Sequence, residues 1–234
     1  MINKAMILAA GFGKRVLPLT SKLPKPLLQI GNETLLSNAI KFLELSEIKE
    51  VVINVHYLGD QIVDYIKKNK FNLDISVVEE KDKILDTGGG ILNVIQHFSK
   101  EDFIIINPDT IWNSNYLKEL KSMKKMFFEN KKKCLLLVVN RKKSFDKLLK
   151  GDFNLKNHLI SRENEDNLEY IYTGLQIINS KVFSNINEKV FSINKIWNKL
   201  IKDQELYAIE SINDFLHIST LDIYKNLLKK NFRR

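Results

Sequence analysis

The amino-acid sequence predicts an α/β fold, with helices covering a mainly parallel sheet, and three observations carry that expectation. Short apolar runs alternate with longer stretches of helical period, as βαβ units require. One early run ends in a glycine-bearing loop and a later one in a carboxylate, which places both beyond the carboxyl ends of strands, where open α/β sheets hold their ligands. No Ser-, Gly- or Pro-rich linker divides the 234 residues, a length that buries one substantial core.

The elements follow in order. Apolar runs at 6–9, 51–55, 75–78 and 103–106 read as buried strands, and helical patterns fall at 33–45, 60–68 and 90–98. A polar, Lys-rich helix at 116–130 leads to a strand at 135–139. The character then changes to short strands at 152–155, 157–160 and 170–178. Helices at 193–201 and 220–229 alternate with a strand at 206–209. There is no internal repeat and no low-complexity segment, so residues 1–234 are expected to form one domain with two halves, 1–112 and 113–234.

Composition narrows the function classes. The formal net charge is +9, but the lysines are spread over 67–70, 121–125, 131–133 and the C-terminal 229–234 without interleaved aromatics, which argues against nucleic acid as a partner. A positive field still favours phosphorylated ligands. No apolar run approaches membrane-spanning length and the N-terminus leads directly into a strand, so a cytoplasmic protein with no membrane partner is expected. The single cysteine, Cys134, sits beside an apolar run and reads as an inert core residue. His56, His97 and His158 lack metal-ligand spacing.

The most informative segment is Leu8-Ala9-Ala10-Gly11-Phe12-Gly13-Lys14-Arg15, followed by Pro24-Lys25-Pro26. Gly11 and Gly13 allow a turn that exposes backbone N–H groups to an anion, while Arg15 and Lys25, both expected on a solvent-facing loop, add positive charge. The spacing excludes a Walker A loop, and Val16 stands where a dinucleotide fingerprint needs a small residue. Asn107-Pro108-Asp109 closes the strand at 103–106 with a carboxylate, a plausible magnesium anchor beside substrate phosphates.

With Asp86-Thr87-Gly88-Gly89-Gly90, Lys150-Gly151-Asp152-Phe153 and Tyr172-Thr173-Gly174-Leu175 in the same order, these motifs resemble the sugar-1-phosphate nucleotidylyltransferases over nearly the whole chain. The resemblance implies a Rossmann-like three-layer α/β/α sandwich with a mainly parallel mixed sheet, the nucleotide-diphospho-sugar transferase fold. It implies transfer of a nucleotidyl group from a nucleoside triphosphate to a sugar 1-phosphate, with Mg2+ as cofactor. Ala10, Gly11, Gly13, Arg15, Lys25, Thr87 and Gly88 would then hold the nucleotide, and Gly151, Asp152, Tyr172 and Gly174 the sugar. Arg15 would hold the leaving pyrophosphate, Lys25 the transferring phosphate, and Asp109 the metal. The D-T-G-G-G and G-D-F forms and the short length are most similar to uridylyltransferases acting on N-acetylmuramic acid 1-phosphate in peptidoglycan recycling. Guanylyl transfer to mannose or heptose 1-phosphate, or a weakened nucleotide-sugar-binding protein, remain alternatives. One departure stands out: His217 occupies the place where many members carry a second metal-binding Asp.

Overall fold

A computed structural model describes residues 2–98, 101–163 and 167–230, so the last four residues of the basic C-terminal run lie outside it. The first half comprises β1 (Lys4–Leu8), a small ribbon of β2 (Gln29–Ile30) and β3 (Glu33–Thr34), α1 (Leu35–Leu45), β4 (Glu50–Val55), α2 (Gly59–Lys68), β5 (Asp74–Glu79), α3 (Asp86–Asn93) and β6 (Asp102–Ile106). The second comprises α4 (Asn115–Glu129), β7 (Cys134–Asn140), β8 (Asn154–Lys156), β9 (Leu159–Ser161), β10 (Tyr170–Asn179), α5 (Asn194–Lys202), β11 (Leu206–Ser211) and α6 (Leu221–Leu228).

Nine strands form one mixed sheet in the order β5-β4-β1-β6-β10-β7-β11-β9-β8, continuous through both halves. Only β10 and β9 run against the other strands. Alternate strand residues face opposite layers, as the period of two demands. Ala5, Ile7, Ile104 and Ile106 pack with α1, α2 and α4 on one face, whereas Met6, Phe103, Ile105 and Leu136 pack with α3 and α5 on the other. The expected three-layer α/β/α sandwich is thus present. Among the described residues no helix is long and apolar enough to cross a membrane.

Two features of this topology position the site. From β1 the chain moves outward to β4 and β5, then returns to β6 on the other side of β1, so the strand order reverses between β1 and β6. Those two strands pair in parallel, Ala5 with Ile104 through Ile7 with Ile106, which brings the loops after Leu8 and Ile106 to one crevice. The third strand at this rim is the antiparallel β10, whose register shifts between Tyr172 and Gln176. Gly174 lies in that bulge at φ +93, and its carbonyl accepts the Asn107 N–H at 2.8 Å.

Two local expectations differ from the structure. Gly88 and Gly89 lie inside α3, which begins at Asp86 and not at residue 90, because packing of the helix against other backbone overrides low helix propensity. Asn157 is not in a strand: Asn157 and His158 have φ values of 50 and 66 and form the two-residue turn of the β8–β9 hairpin, where both central residues must be left-handed.

Candidate active site

The loop after β1 is built from three short 3-10 turns. Gly13 adopts φ 63, and a Cβ there would lie 3.0 Å from Thr20 Cγ2, so both its conformation and its neighbours call for glycine. Gly13 O accepts the Val16 N–H at 2.9 Å, closing a turn that carries Arg15 into solvent with no partner for its guanidinium among the described residues. Pro24 starts the last of them, and the Leu27 N–H donates to its carbonyl at 2.9 Å. This turn folds Lys25 back over the end of β6. Lys25 is therefore not solvent-facing as the sequence suggested: only 13% of its side chain is exposed, and its ammonium lies 2.5 Å from Asp109 Oδ2.

Asp109 is the centre of a small charged cluster. His217 Nε2 lies 3.2 Å from the same Oδ2, held there because residues 215–218 run antiparallel to residues 109–111, with Ile218 N–H donating to Asp109 O at 2.9 Å. The residue that departs from the family pattern thus touches the acid it was expected to assist. Burial alone would raise the Asp109 carboxyl, but Lys25 and His217, by charge and hydrogen bond, outweigh it and hold it well below the usual carboxylate range. Asp109 Oδ1 is buried without a hydrogen-bond partner among the described residues, as is His217 Nδ1. Among the described residues no group of three or more His, Cys, Asp or Glu side chains could hold a metal.

A cleft of about 460 Å³ runs from Ala10, Gly11, Gly13 and Arg15 past Lys25 to Asn107 and Asp109, with Asp86 and Thr87 on its far wall. Its floor rests on a buried polar pair that the sequence reading missed. Asn54 accepts the Ala9 N–H at 3.0 Å and donates to Glu80 Oε1 at 2.7 Å, while Glu80 Oε2 accepts the Leu85 N–H at 2.8 Å. Three strand ends are thereby tied together. The available signal was Asn54 itself, a single amide within an otherwise apolar strand.

The remaining expected site residues are placed less directly. Thr87 lines the cleft, though its hydroxyl accepts the Ile193 N–H at 2.9 Å. Gly88 does not line it: a Cβ there would meet the Phe191 ring at 2.4 Å, so internal packing already requires a small residue. Gly151, Asp152, Tyr172 and Gly174 also lie outside the cleft lining. A Cβ on Gly151 would lie 2.0 Å from Leu168 O, and one on Gly174 2.8 Å from Asn107 Cβ. Asp152 Oδ2 accepts the Tyr172 N–H at 2.8 Å. Desolvation raises its pKa against the opposing effects of that N–H, Arg162 and His217, so Asp152 lies within the electrostatic reach of the Asp109 cluster. The Tyr172 ring packs edge-on against Trp197 at 4.9 Å, within the sheet's α3–α5 face.

A basic, glycine-turned loop at the switch point of a mostly parallel sheet is the arrangement of an α/β protein that holds a phosphorylated ligand. The chain belongs to the nucleotidyl transferase family, whose model matches residues 4–147. It is 22% identical over 219 residues to the N-acetylmuramate alpha-1-phosphate uridylyltransferase of Caulobacter vibrioides, covering 92% of this chain and 90% of that one. It is 25% identical over 214 residues to the mannose-1-phosphate guanylyltransferase catalytic subunit beta of Drosophila melanogaster, covering 89% of this chain but only 57% of that protein. The fold matches that of HddC from Yersinia pseudotuberculosis complexed with GMP-PN, with a TM-score of 0.77 and 21% identity over 97% of this chain and 98% of that one. The protein is an enzyme of the sugar-1-phosphate nucleotidyltransferase kind.

Proposed function

We propose that the enzyme transfers a uridylyl group from UTP to N-acetylmuramic acid 1-phosphate, releasing pyrophosphate, at the cleft between the β1 loop and Asp109. The observation that carries this reading is the convergence, from two paired strand ends, of an Arg15 with no partner among the described residues, the Lys25–Asp109 ion pair and a glycine-lined wall. The uracil and the acceptor are supported by the uridylyltransferase likeness, which spans both chains almost fully. This reading places the reaction in the cytoplasm, where cell-wall sugars are reused.

The acceptor needs little activation. A phosphate monoester loses its second proton near pH 6, so its oxygen is already a dianionic nucleophile at neutral pH, by a pKa of about 6. That oxygen forms the new bond to the α-phosphorus as the bond to the β-phosphate oxygen breaks, and pyrophosphate leaves. The chain's task is positioning and charge neutralisation. Exposed backbone N–H groups around Gly11 and Gly13 meet the phosphates, Arg15 takes charge developing on the leaving group, and Lys25 turns from Asp109 towards the transferring phosphate. Asp152, fixed by the Tyr172 N–H, is placed to accept acceptor hydroxyls.

The residues fit a magnesium ion held mainly by substrate. Asp109 Oδ1, like Asn107 Oδ1, is a buried oxygen of this cleft without a hydrogen-bond partner among the described residues, and a hard cation commonly takes one or two carboxylates with phosphates and water. Magnesium, when bound, offsets the charge of the triphosphate. Imidazole is a poor ligand for it, so His217 serves the site by holding Asp109 ionised and oriented.

A second reading, guanylyl transfer to mannose 1-phosphate, is favoured by the Drosophila likeness. Pyrophosphate release from each triphosphate with a panel of sugar 1-phosphates separates the two. UTP with N-acetylmuramic acid 1-phosphate should give the highest kcat/KM. A tenfold preference for GTP with mannose 1-phosphate, about 1.4 kcal/mol of transition-state discrimination, would establish the second reading. No release from any pair would leave only a nucleotide-sugar-binding protein.

A further inference from the structure

A second cavity, of about 470 Å³, opens on the opposite rim of the sheet, where β7 and β11 begin and β10 ends. It is as large as the active-site cleft and shares no residue with it. Lys131, Lys132, Lys133, Lys181, Lys195 and Lys199 line it, against one carboxylate, Glu205. Val182, Ile186, Ile196 and Leu200 give it an apolar floor.

This one-sided charge is not a consequence of a lysine-rich composition. A neighbouring cavity of about 650 Å³ is lined by Lys81, Lys83 and Lys189 together with Glu79, Glu80 and Asp82, so its charges balance. In the second cavity the balance is missing. Lys133 pairs with Glu205 at 2.6 Å, Lys195 pairs with Glu188, and Lys132 lies 3.2 Å above the centroid of the Tyr207 ring. The ammonium groups of Lys131, Lys181 and Lys199 have neither an acid nor a hydrogen-bond partner among the described residues. Several like charges around one depression raise its potential and favour an anion there.

We propose that this cavity is a second ligand site, which takes a polyphosphate-bearing small molecule whose apolar or ring portion lies on the Val182–Leu200 floor. The dimensions suit a nucleotide, since ligand pockets of this kind span about 300–1,000 Å³. The lysine rim supplies several charge-assisted contacts to phosphate oxygens, and the floor discriminates a nucleoside polyphosphate from a bare one. The site stands apart from the catalytic reading, because none of these residues belongs to the cleft.

Calorimetric titration of UTP into the wild-type enzyme, the Arg15→Ala variant and a Lys181→Glu/Lys199→Glu double variant tests it, with inorganic triphosphate as the probe lacking a nucleoside. Two binding events are expected in the wild type. The double variant should weaken one of them at least tenfold while keeping its melting temperature and its pyrophosphate-release rate, and Arg15→Ala should weaken the other. Raised salt should weaken the lysine-dependent event. A failure of the catalytic reading would remove only the Arg15-dependent event. The absence of any binding event weakened by the Lys181→Glu/Lys199→Glu reversal would overturn the proposal. Equal affinity of that event for UTP and inorganic triphosphate would overturn the role of the apolar floor.

Discussion

Gly11 lines the cleft and Gly151 lies outside its lining, and they are small for opposite reasons. A Cβ on Gly151 would lie 2.0 Å from the Leu168 carbonyl oxygen, so the fold itself excludes a side chain. A Cβ on Gly11 would meet nothing within 4 Å, and no left-handed φ forces glycine there. Gly88 resembles Gly151, crowded by Phe191. A glycine with no internal reason to be small, in the wall of an open cleft, leaves room for something from outside the chain. The comparison separates residues that make the fold possible from residues kept bare for a ligand.

The charged residues should divide the two roles most sharply. Arg15→Ala is expected to lower kcat/KM on the best substrate pair by on the order of a hundredfold or more with an unchanged melt, because its guanidinium has no partner among the described residues. Lys25→Ala should cost as much activity and, by leaving the buried Asp109 charge poorly compensated, about 1–3 kcal/mol of stability as well. Thermal melts beside steady-state kinetics check both, and an active Arg15→Ala enzyme would remove that residue from the mechanism.

Next come the crowded glycines. Gly151→Ala and Gly88→Ala should each lose about 1–3 kcal/mol, roughly 2–10 °C in melting temperature, from forced backbone and ring shifts. Denaturant unfolding of each would sharpen the contrast with Gly11, and a Gly151→Ala protein as stable as wild type would break it.

A smaller effect is expected at His217. Asp109→Asn should abolish activity, whereas His217→Ala should keep a substantial fraction. His217→Asp puts a second carboxylate against Asp109, lowering the melting temperature without metal through like-charge repulsion. Added magnesium should restore that loss and reach half-maximal rate at a lower concentration than in wild type, by supplying a second hard oxygen ligand. A stable His217→Asp protein with an unchanged magnesium requirement would contradict this placement.

The subtlest expectation concerns pH. Because the folded-state pKa of Asp109 is depressed, its contribution to stability is fully present above the unfolded value of about 3.9 and is lost as pH falls through the folded value. The melting-temperature gap between wild type and Asp109→Asn should therefore not close between about pH 8 and about pH 5, and should close only in stronger acid. A gap that closes near neutral pH would mean that Asp109 is not held ionised by Lys25 and His217.

Much of this arrangement was legible in the sequence. Strand periodicity placed β1 and β6, and so brought Gly11 and Asp109 to one rim, because a parallel pair aligns its carboxyl ends. The family pattern also marked His217, although sequence spacing cannot bring residues 109 and 217 together; only the antiparallel bridge does. The Asn54–Glu80 pair escaped notice because its partners are 26 residues apart and neither lies in a glycine or proline motif. Gly88 and Gly89 fell outside the expected helix for a related reason: they answer to Phe191 and Lys189, about a hundred residues later, which local propensity does not see. Asn157 and His158 looked like strand residues because their left-handed turn leaves a short hairpin with no glycine to mark it.

The central claim, that the first loop is kept bare for a nucleotide, is tested most directly by titrating UTP into Gly11→Ala while following its thermal unfolding. The account predicts an unchanged or slightly raised melting temperature, since alanine reduces the freedom of the unfolded chain, with UTP affinity weakened by about tenfold or more as the methyl group enters the ligand's space. Wild-type affinity for UTP in a stably folded Gly11→Ala protein would contradict it.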